Sequence, residues 1–551
     1  MTSVAPARRD DRPHQGRWLM AVFAAVLLLQ LELVFHRPVN WDEFFHLSEA
    51  HAFHQGRLTE ALQVFYARAF FWLPALPVDS IDQIRIARLV MFGFELFTLA
   101  AIYAMARRFT GALSAALAAL AYLTGGYVFQ HGFSYRADPM AAAFLMGTLW
   151  ILLASRLDAK AIVGAGLLTG LAVLTTIKVV LYAPAFAGIA WLRWCEADNK
   201  RAMAMRLATF ALAAVAFSGL LIGATVFSLP EAGPDSAERT VSTAGSMMFD
   251  EGFFPNRVYA LKAAAMAPLL AGLLLAAPFE ITGAPLSRPR RVALAALMLP
   301  VASILFFRNA FPYFYVYILP PAMVAAAVAV EPLTRRIPIK GLAFVFLANA
   351  AVVSLATPRA VLLAQRQVIA AVHDIFPRPV AYFDFPGMIV DYPKANFFMT
   401  TWGMRKYFAG IEEPFVEAMA RETVPLLIVN QEPIERNQTA SKPAWEFSPA
   451  DARALREGFI PHWGPLWVAG RRFAAGSQPA MFEIYTPGTY TVEGVAARID
   501  GRSYQVGETI LLARGSHRFA PVTGGETRLR WGNHLKYPAR PFVGGALFKD
   551  F

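Results

Sequence analysis

Long apolar stretches constrain this chain more than any other feature of its sequence. Each runs for about 17 to 25 residues, enough for one helix to cross about 30 Å of hydrocarbon. They occupy positions 18–35, 86–106, 111–129, 138–155, 161–177, 179–194, 207–229, 258–280, 292–307, 312–331 and 341–357. With 56% hydrophobic and only 16% charged residues, the chain is too apolar for a soluble enzyme. The sequence therefore predicts an α-helical polytopic membrane domain of about eleven spans.

The basic residues indicate how these spans are oriented. A polar, arginine-rich tail at 1–17 precedes the first stretch, and no small-residue cleavage site follows it, so we expect a retained anchor with a cytoplasmic tail. Alternation from there places the other basic clusters on the same side, as the positive-inside rule requires: Arg107, Arg108, Arg156, Lys160, Arg193, Lys200, Arg201, Arg206, Arg288, Arg290, Arg291, Arg335, Arg336 and Lys340. An odd number of spans then places the C-terminal region outside the cytoplasm.

Charge and cysteine content exclude two other classes of protein. The net charge of +12 is dispersed over short loops rather than gathered into one patch, so it indicates membrane orientation and not nucleic-acid binding. A single cysteine, Cys195, excludes an intramolecular disulfide.

The hydropathy also divides the chain into regions. The predicted membrane domain covers 18–357, and its first outer loop, 36–85, is too long for a simple connector; we expect short interfacial helices there that form a lid-like shelf. A second outer segment, 230–257, is rich in Gly, Pro, Ser and acids and predicts a mobile loop. Beyond 358 we expect an extracytoplasmic soluble domain, with an α/β region at 358–480 and a β region at 481–551.

Charged residues recur where the outer ends of the predicted spans converge. A carboxylate beside hydrocarbon is costly unless it is hydrated, paired or catalytic, so such residues are candidates for a functional site. Lys and Arg among them suit an anionic, amphipathic ligand, and a lipid phosphate is the obvious candidate. The candidates are the adjacent acids Asp42 and Glu43, then Arg136, Asp138, Lys178 and Arg308.

Each candidate also has a structural alternative. Asp42 and Glu43 suit the first turn of a helix, and Lys178 could be a snorkelling residue at a helix end. Arg136 and Asp138 could form a local ion pair before a helix that has Pro139 near its start. For Arg308, interfacial anchoring is the stronger alternative.

A metal site is a weaker hypothesis for the same loop. Asp42, His46 and Glu49 would share one face of a helix over 41–53, so a divalent cation remains an open alternative. No spacing matches a tight metal signature, and solvated polar residues on an interfacial helix are the favoured interpretation. We assign no metal ligand and no cofactor from the sequence.

These motifs, in this order, resemble the polytopic lipid-linked glycosyltransferases of clan C. The similar features are the Asp-Glu pair in a long first outer loop, Arg-x-Asp-Pro at 136–139, Thr-x-x-Lys at 175–178, and the aromatic Phe-Pro-Tyr-x-Tyr segment that begins at Phe311. Within that clan, the resemblance is to the dolichyl-phosphate-mannose protein mannosyltransferase and aminoarabinose transferase-like group. It covers roughly residues 18–357.

The resemblance implies a membrane enzyme that moves a sugar from a polyprenyl-phosphate donor to an extracytoplasmic lipid, glycan or protein acceptor. It implies an essential role for Asp42, roles for Arg136 and Asp138, and contact with the lipid phosphate for Lys178. Together with the positions of Glu43 and Arg308, this gives Asp42, Glu43 and Asp138 as catalytic candidates and Lys178, Arg136 and Arg308 as candidates for binding the donor phosphate. In the mechanism that we favour, Asp42 is the base in a direct displacement that inverts the anomeric carbon. We expect a multi-pass protein of a bacterial inner membrane, with its C-terminal domain in the periplasm.

Two other functional classes fit parts of the sequence. A transporter or flippase of a lipid-linked or anionic substrate would explain many spans and a few interior charges, but not the long first loop or the large outer domain. An assembly scaffold whose outer domain binds a cell-wall polymer would leave the charges at the converging outer loops without a purpose.

The predicted topology can be tested directly. A reporter fused after Phe551 should be active only when that end lies outside the cytoplasm, because the positive-inside count places it there. Paired fusions of alkaline phosphatase and green fluorescent protein measure this, and fusions after Lys340 provide the cytoplasmic control. Fluorescence from the Phe551 fusion would overturn the topology.

Overall fold

The computed structural model describes residues 12–58, 68–227, 252–396, 401–410 and 413–548. Most of the predicted loop at 230–257, and the part of the predicted lid-like shelf from 59 to 67, therefore lie outside the described residues. The remainder forms a helical domain followed by a domain rich in β-strands. The fold class predicted from the sequence is confirmed.

The helical domain contains fourteen α-helices in the described residues, and nearly all of them fall on the predicted spans or the first outer loop. In chain order they are α1 (Arg12–His36), α2 (Trp41–His54), α3 (Ser80–Ala106), α4 (Ala112–Leu123), α5 (Gly126–His131), α6 (Ala137–Ala154), α7 (Ala159–Thr175), α8 (Ala183–Cys195), α9 (Lys200–Phe227), α10 (Arg257–Met266), α11 (Pro268–Gly283), α12 (Arg288–Met298), α13 (Phe314–Arg336) and α14 (Ile339–Ala356). Short 3₁₀ helices occupy Leu73–Ala75, Ile177–Tyr182 and Leu299–Leu305.

Several predicted spans are interrupted. Among the described residues, six helices are long and apolar enough to cross a membrane, or seven if α10 and α11, which meet at an angle of 105°, form one span. The predicted stretch 111–129 breaks between α4 and α5 at Gly125 and Gly126. A Cβ on Gly126 would lie 2.6 Å from the Met266 Cβ, so the glycines allow the chain to pass close to the bend at Ala267. The number of eleven spans remains a prediction.

The most buried of these six helices, α13, contains two adjacent prolines. Pro320 and Pro321 have no N–H to donate to the carbonyl oxygens of Val316 and Tyr317, one helical turn earlier. Two tyrosines from other segments supply the missing donors: Tyr122 Oη donates to the Val316 oxygen at 2.9 Å, and Tyr182 Oη donates to the Tyr317 oxygen at 2.5 Å. A proline-interrupted helix is stable inside a membrane only when its freed carbonyls find such partners.

The C-terminal domain begins with the helix α15 (Ala360–Ile375) and continues with strands and short helices. The helices are α16 (Thr401–Phe408), α17 (Phe415–Arg421), α18 (Glu432–Thr439) and α19 (Pro449–Gly458). The strands are β1 (Tyr382–Phe383), β2 (Leu426–Ile428), β3 (Phe459–Trp463), β4 (Leu466–Phe473), β5 (Ala480–Ile484), β6 (Gly488–Gly494), β7 (Ala497–Ile499), β8 (Arg502–Tyr504), β9 (Thr509–Leu512), β10 (Gly515–Pro521) and β11 (Thr527–Trp531).

The strands form two sheets. A seven-stranded sheet has the order β1-β2-β4-β11-β6-β9, with β3 also paired to β4, and a four-stranded sheet has the order β5-β10-β7-β8. The larger sheet joins strands from 358–480 to strands from 481–551, so it crosses the boundary between the α/β and β regions given from the sequence. Those domain boundaries remain a prediction. The turn between β7 and β8 has Asp500 and Gly501 at φ values of 49° and 84°, as expected for the predicted Asp-Gly hairpin.

Candidate active site

The chain turns sharply between α1 and α2, and this turn determines where the two adjacent acids point. Asn40 is the N-cap: its side-chain oxygen accepts a hydrogen bond from the Asp42 N–H at 3.0 Å. In return, Glu43 Oε2 accepts from the Asn40 N–H at 3.0 Å, which completes a capping box. Asp42 and Glu43 therefore leave a rigid first turn in different directions.

Glu43 points into the protein, where its side chain is only 1% exposed. It forms a two-bond ion pair with Arg88 of α3, with Nε to Oε1 at 2.8 Å and Nη2 to Oε2 at 2.6 Å. Oε1 also accepts from the Tyr135 N–H at 3.0 Å. Burial alone would raise the pKa of Glu43, but the charge and hydrogen bonds of Arg88 outweigh it and hold the pKa well below the ordinary value. These contacts favour the structural alternative for Glu43.

Asp42 faces the other way and keeps 29% of its side chain exposed. Its Oδ2 accepts a hydrogen bond from Nη1 of Arg136, which lies at the N-cap of α6. The two neighbouring acids thus bind neighbouring positions on another segment: Asp42 binds the side chain of Arg136, and Glu43 binds the backbone of Tyr135. The accessible carboxylate and the buried one are separated by a single peptide unit.

Arg136 continues into a second ion pair. Its Nε lies 3.8 Å from Oδ2 of Asp138, in the first turn of α6, and Asp138 Oδ1 accepts from Nζ of Lys178. Lys178 is brought there by the 3₁₀ helix that follows α7, where Thr176 Oγ1 accepts from the Lys178 N–H at 3.3 Å. The result is a chain of alternating charge, Asp42–Arg136–Asp138–Lys178, whose inner members are largely buried.

Aromatic rings from the start of α13 form one wall of this charged cluster. The Arg136 Cζ lies 3.4 Å from the ring centroid of Tyr313, and Lys178 Nζ lies 5.4 Å from that of Tyr317. Cations over ring faces gain favourable interactions where water is excluded. The same 3₁₀ helix carries Lys178 and Tyr182. The hydrogen bond from the Tyr182 hydroxyl to the Tyr317 carbonyl oxygen therefore fixes the position of Lys178 relative to Tyr317.

The remaining predicted residues lie nearby or elsewhere. Arg308 lies five residues before Tyr313, and its carbonyl oxygen accepts from the Asn256 side chain. His46 is buried rather than solvated, because its ring packs 6.1 Å from the Tyr135 ring, and burial followed by the charge of Arg136 lowers its pKa well below the ordinary value. In the described parts of the chain, no group of three His, Cys, Asp or Glu residues is arranged to hold a metal.

Sequence reasoning missed the residues that hold the acids in place. Arg88 lies within the predicted span 86–106, where it is buried and holds Glu43 in place. A charged residue inside an apolar stretch is itself a signal, and it would have directed attention to Arg88 and to the buried Glu95 about two turns further along α3. Tyr313 belongs to the aromatic segment quoted from the sequence and Tyr317 lies two residues beyond its end, but nothing in the sequence indicated that they cover Arg136 and Lys178.

Comparison with solved structures identifies the architecture. The structure superimposes on the crystal structure of ArnT from Cupriavidus metallidurans bound to undecaprenyl phosphate with a TM-score of 0.55 at 13% identity, over 75% of this chain and 93% of that one. Apo ArnT gives a TM-score of 0.56 at 13% identity, over 82% and 98% of the two chains. The apo oligosaccharyltransferase of Archaeoglobus fulgidus gives 0.50 at 11% identity, over 95% and 98%. No protein-family model and no curated protein sequence matches the chain.

The chain has the clan C glycosyltransferase fold. The resemblance that the sequence motifs suggested is therefore confirmed at the level of fold, despite the low sequence identity. The similarity extends beyond the helical part, because nearly the whole chain is covered in the comparison with the archaeal enzyme. The roles of individual residues in the clan C fold of this protein remain predictions.

The buried ion pair predicts a large effect of one substitution. Glu43→Gln should lower the free energy of unfolding by about 3 to 5 kcal/mol, because it leaves the charge of Arg88 buried without a counter-ion. Thermal unfolding in detergent measures this, with Glu435→Gln, at an exposed position of α18, as the control. The double variant Glu43→Gln/Arg88→Met should recover part of the loss. If Glu43→Gln proved as stable as the control variant, the result would contradict a structural role for Glu43.

Proposed function

We propose that this protein is a membrane glycosyltransferase that moves a sugar from a polyprenyl-phosphate donor to an extracytoplasmic acceptor with inversion. One observation carries the proposal: Asp42 is a partly exposed carboxylate held by a buried arginine, beside a second cation, at the outer ends of α6 and α8. A base and an anion-binding group must lie within reach of one another for this reaction, and the cluster supplies both.

The donor phosphate is bound by Lys178 and Arg136. Two carboxylates already neutralise these two cations, so a phosphate competes with Asp42 and Asp138 for them. Arg136 can exchange Asp42 for a phosphate oxygen while it keeps Asp138. Once released from Arg136, the carboxylate of Asp42 has a free oxygen with which to accept the hydroxyl proton of the acceptor. Arg308, in the turn before Tyr313, is a third candidate for the phosphate.

The reaction is a single displacement. The acceptor hydroxyl oxygen attacks the anomeric carbon, the bond from that carbon to the phosphate oxygen breaks, and its electron pair remains on the phosphate. Asp42 takes the hydroxyl proton. Arg136 and Lys178 stabilise the charge that develops on the leaving phosphate. Asp138 pairs with both cations and orients them. Glu43 supports the loop through Arg88 and does not touch the reacting atoms.

Two of the structural relatives suggest the substrate class. ArnT was crystallised with undecaprenyl phosphate, and the archaeal oligosaccharyltransferase with an inhibitory peptide and a dolichol-phosphate. A polyprenyl-phosphate hexose or pentose is accordingly the proposed donor, and a lipid, glycan or protein the acceptor. A bacterial inner membrane with the C-terminal domain in the periplasm is the proposed location.

A transporter or flippase is the alternative, and one measurement separates the two. Purified protein in detergent is incubated with a radiolabelled polyprenyl-phosphate sugar and extracted envelope acceptors. A glycosyltransferase converts the label into a new product and releases polyprenyl phosphate without any membrane barrier. Movement of intact donor across proteoliposomes, without such a product, would establish the transporter.

The first test of mechanism concerns Asp42. Asp42→Asn should lower kcat by about two to four powers of ten, because an amide cannot accept the hydroxyl proton. Folding should be little affected, since the helix cap is supplied by Asn40 and Arg136 keeps Asp138 as a counter-ion. Single-turnover transfer at saturating donor measures the effect, with Glu435→Gln, at an exposed position of α18, as the control. Near-normal turnover of the Asn variant would remove Asp42 from the mechanism and make Asp138 the next candidate.

The second test concerns the phosphate contact. Lys178→Ala should raise KM for the lipid donor about ten- to a hundredfold, because it removes a charge-assisted contact worth about 1.5 to 3 kcal/mol. Lys340→Ala, which alters an exposed lysine in the first turn of α14, is the control. Donor titrations give KM, and an unchanged value would reduce Lys178 to a structural partner of Asp138.

A further inference from the structure

One side chain of the C-terminal domain reaches the segment that carries Asp42. Gln365 of α15 is completely buried. Its Oε1 accepts from the Val39 N–H at 3.0 Å, and its Nε2 donates to the Val39 carbonyl oxygen at 2.8 Å. Gln365 therefore binds both backbone groups of Val39, as a neighbouring β-strand would, three residues before Asp42.

The helix around Gln365 is fixed to the membrane domain on both sides of Val39. Arg359 forms an ion pair with Glu32 near the end of α1, at 3.0 Å, and Arg366 forms one with Asp82 at the start of α3, at 2.5 Å. These exposed pairs contribute little energy by themselves. Their importance is geometric, because they align α15 along the outer ends of the two helices between which the loop emerges.

Two residues near the end of the described chain, Leu547 and Phe548, also contact this region. The Nε2 of Gln365 also donates to the Leu547 carbonyl oxygen at 2.9 Å, and the Phe548 ring packs 6.0 Å from the ring of Phe44 on α2. Leu547 is buried. A single amide group thus connects α15, the segment before α2 and the segment at 547–548.

The opposite side of α2 is covered by another part of the C-terminal domain. The Trp41 ring lies 5.0 Å from the Phe385 ring, edge to face. Gly387, at φ of 82°, approaches Ser48 so closely that a Cβ would lie 3.0 Å from its Oγ. The turn is held by Asp384, whose carboxylate accepts from the Gly387 and Met388 N–H groups, both at 2.9 Å. Helix α2 is therefore enclosed between the membrane domain and the C-terminal domain.

We infer that Gln365 is a positioning residue: the C-terminal domain uses it to fix Val39, and through Val39 the orientation of Asp42 towards Arg136. Among the side chains of proteins, only an amide can donate to two carbonyls and accept from an N–H here without carrying a charge. An apolar replacement leaves two carbonyls and one N–H of the buried backbone unsatisfied, and the segment before α2 then opens to recover water. This role deepens the proposed function and rests on it for its catalytic consequence.

The experiment compares Gln365→Met, which keeps the shape of the side chain, with Gln367→Met, which makes the same change at a less buried position of the same helix. The control removes a hydrogen bond from the Val543 N–H, at 3.3 Å, and leaves both contacts with Val39 in place. We expect amide hydrogen exchange in peptides covering 37–47 to accelerate at least tenfold in the Gln365 variant and not in the control. The kcat for transfer should fall at least tenfold, while KM for the lipid donor should not rise, because Arg136 and Lys178 remain and a displaced Asp42 competes less with the donor phosphate for Arg136. The exchange arm is independent of the reaction.

The outcomes are distinct. Unchanged exchange at 37–47 would overturn the proposal, and so would faster exchange with normal kcat. If the unaltered protein transfers no sugar, the proposed function fails, but faster exchange would still support the positioning of the loop. A raised KM with normal kcat would also overturn the inference, because it would place Gln365 in donor binding.

Two further variants make the test sharper. Gln365→Glu keeps an acceptor for Val39 but can donate only when protonated, so its kcat relative to the unaltered protein should rise as the pH falls. Ending the chain after Ala546 removes the third partner of Gln365. Its effect and that of Gln365→Met should be non-additive in a double-mutant cycle, since one amide serves both contacts. Full additivity would overturn the shared role.

Discussion

The arrangement of the site depends on one buried guanidinium. Arg88 has five N–H donors, and all five are used: two on the carboxylate of Glu43 and three on the carbonyl oxygens of Val34, Arg37 and Pro38. The side chain therefore closes the end of α1, supports the turn after it and holds the start of α2. No lysine could do this, because its three donors do not have the planar fork geometry of arginine. Because Arg88 holds Glu43 inside the protein, the neighbouring Asp42 points to the accessible side of α2.

The aromatic wall formed by Tyr313 and Tyr317 also depends on contacts between different segments of the chain. The prolines of α13 free two carbonyl oxygens, and these determine which neighbouring segments can pack there. A segment that packs there must bring a hydrogen-bond donor, and in this structure both donors are tyrosine hydroxyls; the segment that brings Tyr182 also brings Lys178. A helix defect in the membrane thus helps to place a cation at its surface. The same contacts satisfy the backbone hydrogen bonds of α13 and set the geometry of the candidate site.

The sequence predicted the large features because they depend on local patterns. Apolar length predicted the helices, the Asp-Gly pair predicted the β7–β8 hairpin, and the structure brings together Arg136, Asp138 and Lys178, which the sequence had grouped at converging helix ends. It could not separate Asp42 from Glu43, because their difference depends on Arg88, a residue from another helix. Breaks at Gly125 and Ala267 were missed for the same reason: they reflect close packing between segments, which hydropathy does not encode.

The contacts of Gln365 join parts of the chain that are far apart in sequence, and this has a consequence for biogenesis. Residue 39 leaves the translocation machinery early, whereas its partner at 365 follows hundreds of residues later, and the carbonyl at 547 later still. Contacts of such high sequence separation form last, because the intervening chain must be ordered first. The segment that carries Asp42 can therefore reach its final position only after residues 365 and 547 have been synthesised and the C-terminal domain has packed against the helical domain. Until then the candidate site is incomplete.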